Sequence, residues 1–165
     1  MNLRRVLCAG LVTAAVDFTW ACGQTVFMFH GTITRLWQGV AAALLGPSAF
    51  EGGMATLVLG VCMHISVATT WSAVFLFLTG RFDRIGKAVR TWPGILAVAA
   101  IYGPLVWCVM SLIVIPILYH RAPTITTRWL IQLGGHIPFV GLPIVASIAG
   151  RGPCARFGIE ARAAG

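Results

Sequence analysis

Charge is what this sequence has least of. Only 10% of its 165 residues are charged and 58% are hydrophobic, whereas about a quarter of the residues of a soluble domain carry charge. A soluble fold is excluded on that balance. Acidic residues are scarcer still, four against twelve Lys and Arg, which leaves a net charge of +8. The five cysteines form an odd set with no C-x-x-C pair, so neither a disulfide framework nor a zinc ribbon is expected. They read as free, buried thiols. No serine or cysteine has a base at a recognisable spacing, which leaves nucleophilic catalysis without a candidate, and no enzyme activity is expected. Internal repeats and low-complexity segments are absent as well.

What is present is apolar length. Four runs, about residues 6–28, 54–78, 94–118 and 129–149, each reach the roughly 20 residues that a bilayer core demands of a helix. The expected fold is all-α, an antiparallel four-transmembrane-helix bundle in a single membrane domain (residues 1–150), followed by a flexible cytoplasmic tail (151–165). The first run begins on a basic flank like a signal peptide, but Asp17 interrupts it and it continues to Met28, beyond signal length, so it is expected to remain as a helix. Between the first two spans, Thr32 to Leu45 reads as a short amphipathic helix on the outer surface, with Trp37 in the headgroup zone and Gly46-Pro47 as its stop. Ser48 and Glu51 have the spacing of a capping box and are expected to start the second span. Thr91, with Pro93 after it, opens the third.

The bases lie between apolar runs, where they set orientation, so nucleic acid is not an expected partner. Nine Lys and Arg fall in the two ends and the second connection and three in the other two connections, which by the positive-inside rule puts both termini in the cytoplasm. Small residues Gly10, Ala14, Gly60, Ala68, Gly103 and Gly135 are expected where the helices approach closely. Pro104 and Pro116 should bend the third span, and Gly134-Gly135, Pro138, Gly141 and Pro143 should interrupt the fourth.

Asp17 is the one acidic residue inside a span, and no Lys or Arg in the spans can partner it. A charged aspartate at a helix centre costs roughly 2.5–3.5 kcal/mol on insertion scales, so it must be protonated, hydrated or paired. Counted from the span centres, His64 and His136 lie within about 4.5 Å of its level at the rise of a helix. Asp17, His64 and His136 are therefore the candidate midplane cluster, with Gln24, Ser111 and Gln132 as a candidate polar lining above it toward the outer surface. An aspartate–imidazole pair is the material of a proton relay, and the leading expectation is a small proton-linked or small-solute transport protein. The alternatives are a structural or partner-binding scaffold, in which the same groups only join helices, and a protein holding haem between His64 and His136, or a metal. No cofactor is assigned. His30 and His120, at span ends, are expected to be solvated. The partners expected are the lipid bilayer and either a second copy of the chain or another membrane protein.

The Asp in the first span, G-P-S-A-F-E-G-G before a span with a central His, IYGPLVWCVMSLIVIP and GGHIPFVGLPI together resemble uncharacterised bacterial four-span inner-membrane proteins, broadly YagU-like. The resemblance runs over most of Val6 to Ala149. It implies a multi-pass protein of the bacterial inner membrane and brings no activity with it.

Overall fold

Three helices open on a threonine whose hydroxyl accepts a hydrogen bond from an otherwise unpaired N–H of the first turn. Thr32 takes the Arg35 N–H, Thr91 that of Gly94 and Thr126 that of Trp129, each at 3.3 Å. In the structure, a computed structural model that describes residues 3–120 and 122–155, these caps set off an all-helical chain. Four helices are long and apolar enough to cross a membrane: α1 (Leu3–Met28), α3 (Gly53–Arg81), α5 (Trp92–Tyr119) and α6 (Thr127–Ile148). Two shorter ones complete the set, α2 (Ile33–Leu45) between α1 and α3 and α4 (Asp83–Ala88) between α3 and α5. The outward faces of the long helices carry Leu7, Leu11, Phe77, Ile101 and Ile117, all exposed.

Prolines and glycines do not unwind the spans. Pro104 stays inside regular α-helix, while wide π turns are inserted at Met110–Val114, ahead of Pro116, and at Ile137–Gly141, around Pro138 and ahead of Pro143. A π turn shifts the backbone pairing by one residue, which absorbs the N–H that proline lacks. The expected interruption of α6 is thus one wide turn in a continuous helix. A third π turn, Gln24–Met28, ends α1. His30 and His120 then leave their helices in the left-handed region, at φ 51° and 49°, and both are exposed.

Two local expectations are corrected. Ser48 does not cap α3: Gly46, at φ 62°, leads into a 3-10 turn over Gly46–Phe50, and the Ser48 hydroxyl donates to the Leu45 carbonyl at 2.8 Å instead. Glu51 is exposed and α3 starts from Gly53. Nor does α2 lie on the surface with Trp37 among headgroups. It wedges between α1, α3 and the end of α5, with Trp37, Gln38, Ala41 and Ala42 buried. Gln38 donates to the Gly53 carbonyl at 3.1 Å and Tyr119 donates to the Gly39 carbonyl, which fixes α2 at both sides. At 13 residues α2 is about 20 Å long and does not span.

The cysteines are also not all free. Cys8 in α1 and Cys154, just past α6, form a disulfide, while Cys22, Cys62 and Cys108 remain thiols. Cys154 is fully buried, and Arg151 donates to the Arg90 carbonyl at 2.6 Å. The expected flexible tail is therefore tied to the bundle over residues 151–155, and its remainder, 156–165, lies outside the described residues.

The interior has two halves. Toward the end that carries Arg90, Arg151 and the disulfide it is solid, a cluster of Ala9, Phe75, Ile95, Ala99, Tyr102, Val106, Ile144 and Val145, with the Tyr102 hydroxyl donating to the Trp71 carbonyl at 2.7 Å. Toward the other end the helices part.

Candidate functional site

The parted half holds a partly open cavity of about 610 Å³ under α2, within the range of small-molecule sites. Its floor is formed by Thr13, Ala68, Trp71, Val106 and Val140, where the solid core ends. Along α5 it is lined from Val106 to Leu118, about 18 Å at the rise of a helix. It reaches Ala122, Pro123 and Thr124 in the connection to α6.

Close helix approach places the polar groups. On α1, Gly10 meets α3 so tightly that an added Cβ would stand 2.4 Å from the Thr69 hydroxyl, which brings the next turns of the two helices together. There His64 Nε2 lies 3.2 Å from the Ala14 carbonyl and 3.8 Å from the Asp17 carboxylate. Against α6, a Cβ at Gly103 of α5 would stand 2.1 Å from the His136 carbonyl, and one at Gly135 of α6 would stand 2.6 Å from the Trp20 indole nitrogen. Those contacts hold His136 in the bundle, where its Nδ1 is 2.7 Å from the Gln132 carbonyl and its ring packs 4.8 Å from that of Trp107.

A carbonyl only accepts, so both ring tautomers follow. His64 donates from Nε2 to Ala14, and His136 donates from Nδ1 to Gln132. His64 Nδ1 and His136 Nε2 keep their lone pairs. The Asp17 carboxylate, 15% exposed in the middle of a long helix, has no hydrogen bond among the described residues beyond its longer approach to His64. Thr13 Oγ1 and Gln132 Oε1, on residues that line the cavity, also lack partners among the described residues. Leaving such atoms dry costs about 1–3 kcal/mol each.

Of the residues singled out by sequence, Asp17, His64, His136, Ser111 and Gln132 line this one cavity. Ser111 accepts from the Trp129 indole N–H at 2.9 Å. Gln24 does not belong to it. It lies beside a shallow apolar groove with Trp20, Phe27 and Phe139, because the π turn that starts at Gln24 rotates the end of α1 off the regular helical wheel.

The aromatic wall is the part that spacing alone did not reveal. Trp37 stacks on Phe18 at 4.7 Å and leans on the His64 ring at 5.0 Å, so it closes the cavity over the Asp17–His64 pair. Trp71, Trp107, Trp129 and Tyr119 form other walls. The available signal for Trp37 was its own stripe, in which Ala41 and Ala42 follow at helical spacing, small residues suited to packing inside a bundle.

No three of His, Cys, Asp and Glu among the described residues come together as a metal-ligand set. His64 turns its Nε2 to α1 rather than across the cavity, which gives no support to an axial pair with His136. No protein-family model matches the chain, and neither a curated protein nor a solved structure does. The YagU-like resemblance therefore rests on the sequence motifs alone.

Proposed function

We propose that this is a multi-pass protein of the bacterial inner membrane, an antiparallel four-span bundle with cytoplasmic termini, that binds a small solute in its mid-membrane cavity and carries it in linkage with a proton. It is not an enzyme on this reading and holds no resident cofactor. Support for the orientation comes from the contacts that gather Cys8, Arg90, Arg151 and Cys154 at one end, since these belong to the two ends and the second connection, where most of the basic residues lie. Support for the bilayer comes from the apolar outward faces.

The observation that carries the functional reading is the Asp17–His64 pair, part exposed in a cavity that reaches the α5–α6 connection. A contact that served only to join helices would bond the carboxylate directly. Here His64 gives its proton to Ala14 and the carboxylate stays open to what enters. The test is proton flux in proteoliposomes carrying a pH-sensitive dye. Expected is a solute-dependent proton flux in the natural protein that disappears in Asp17→Asn while the helical circular dichroism is unchanged. Equal and solute-independent proton permeability in both would reject the reading.

A further inference from the structure

The cavity is lopsided in its chemistry. Among the described residues that line it, Asp17 is the one of fixed charge and none is a Lys or Arg. Its acceptors include the lone pairs of His64 Nδ1 and His136 Nε2 that the two carbonyl partners dictate and the unpartnered Gln132 Oε1, beside the Thr13 and Ser111 hydroxyls, which can also donate. Its walls include the rings of Trp37, Trp71, Trp107, Trp129 and Tyr119 among aliphatic side chains such as Val67, Met110 and Val114. Ring faces attract cations through their quadrupole, the more so out of water. A lone carboxylate, imidazole acceptors and aromatic rings together complement one kind of solute best.

We propose that the solute is a small organic ammonium, a protonated amine with an apolar or aromatic body, its N–H groups directed to Asp17 and the imidazole lone pairs and its body held between the tryptophans. This rests on the solute-binding reading and names the chemical class that reading leaves open. An anion would meet the carboxylate and the imidazole acceptors with no Lys or Arg among the described lining residues to neutralise it. A neutral solute would leave the carboxylate either unpaired or protonated, at the cost of an intramembrane charge or of its acceptor role. The cavity of about 610 Å³ accommodates a one-ring amine.

Three probes of nearly one shape, 2-phenylethylammonium, 2-phenylethanol and phenylacetate, separate the possibilities. Binding to the protein in lipid nanodiscs is read from tryptophan fluorescence, since four of the residues lining the site are tryptophans. The ammonium is expected to bind at least about tenfold more tightly than the alcohol, the scale of one desolvated charge contact, and phenylacetate not measurably. Asp17→Asn should remove that preference and leave binding of the alcohol in place, while Asp17→Glu should retain the preference. Trp107→Leu should weaken the ammonium more than the alcohol and serves if the Asp17 variants do not fold. Equal binding of ammonium and alcohol overturns the ammonium assignment and leaves a neutral-solute site standing. Tighter binding of phenylacetate overturns it through the sign of charge. Saturable binding of none of the three to a folded protein removes the solute-binding reading along with it.

Discussion

The Trp37 carbonyl lies so close to Gly60 that a Cβ added there would stand 1.9 Å from its oxygen. Only glycine at position 60 lets α2 sink into the bundle and press the Trp37 ring on His64 at 5.0 Å. Gly60→Ala is therefore expected to lower stability by about 1–3 kcal/mol, the range for overpacking, and Gly60→Leu to cut the folded yield in detergent sharply. Because the contact is with backbone, α2 must move as a whole, so the fluorescence of the tryptophans should shift with the melt. An unchanged thermal melt and spectrum in Gly60→Leu would show that α2 does not occupy this place.

The charge count and the packing make a joint prediction of topology. Arg35 lies on α2, with its guanidinium 5.9 Å from the Phe50 ring centre, and Arg84 on α4, at the opposite connection. With the natural free thiols replaced, Arg35→Cys should react with a membrane-impermeant maleimide applied to intact cells and Arg84→Cys should react only after lysis. The reverse pattern would invert the bundle.

The disulfide sits at the end that the charge count assigns to the cytosol, where thiols are ordinarily kept reduced. Burial shields the Cys154 side of the bond, which has no exposed surface, while Cys8 on α1 is half-buried, and exchange requires a thiolate to reach a sulfur. The bond joins residues 146 apart, and in the chain-entropy model closing so long a loop is worth about 5 kcal/mol. Cys154→Ser should lower the melting temperature by several degrees on that scale, and dithiothreitol should release the bond only once the protein unfolds. Prompt alkylation of Cys8 in the folded, unreduced protein would show that the bond is not made.

The spans were legible because a bilayer-length apolar run has few other meanings, and Thr91 with Pro93 was legible because the cap is local to one turn. Asp17 and His64 could be set at one depth since both lie in regular helix, where rise per residue is constant. Gln24 was lost at the first π turn, beyond which a regular wheel misplaces side chains. Ser48 was misread because the positive φ of Gly46 turned the same residues into a 3-10 turn. Neither the pairing of Cys8 with Cys154 nor the burial of Trp37 follows from spacing, since each depends on which helices meet.

The Asp17–His64 relation admits the strictest test, because its two readings differ in coupling and not merely in size. At 3.8 Å the pair is in contact range but is not a full hydrogen bond, and the proton of His64 Nε2 goes to Ala14. If the carboxylate serves only to hold α1 to α3, Asp17→Asn should cost little, because the amide still bonds and carries no charge into the membrane. If it exchanges a proton for the solute, raising the pH should strengthen ammonium binding, because the empty site must give up the Asp17 proton before it can hold a cation. Among the described residues, and besides the Tyr119 hydroxyl at the end of α5, the other titratable groups facing the cavity are His64 from α3 and His136 from α6. Protonating either adds positive charge and weakens cation binding in acid, so the sign of the pH dependence is common to all three. What distinguishes Asp17 is that Asp17→Asn should flatten the profile, while His136→Gln should only displace it. His64→Ala and Asp17→Asn should be non-additive in binding by at least about 0.5 kcal/mol, as expected of residues in contact. A pH profile that survives in Asp17→Asn, or additive effects of the two changes, would take the proton off Asp17 and leave the pair a structural contact.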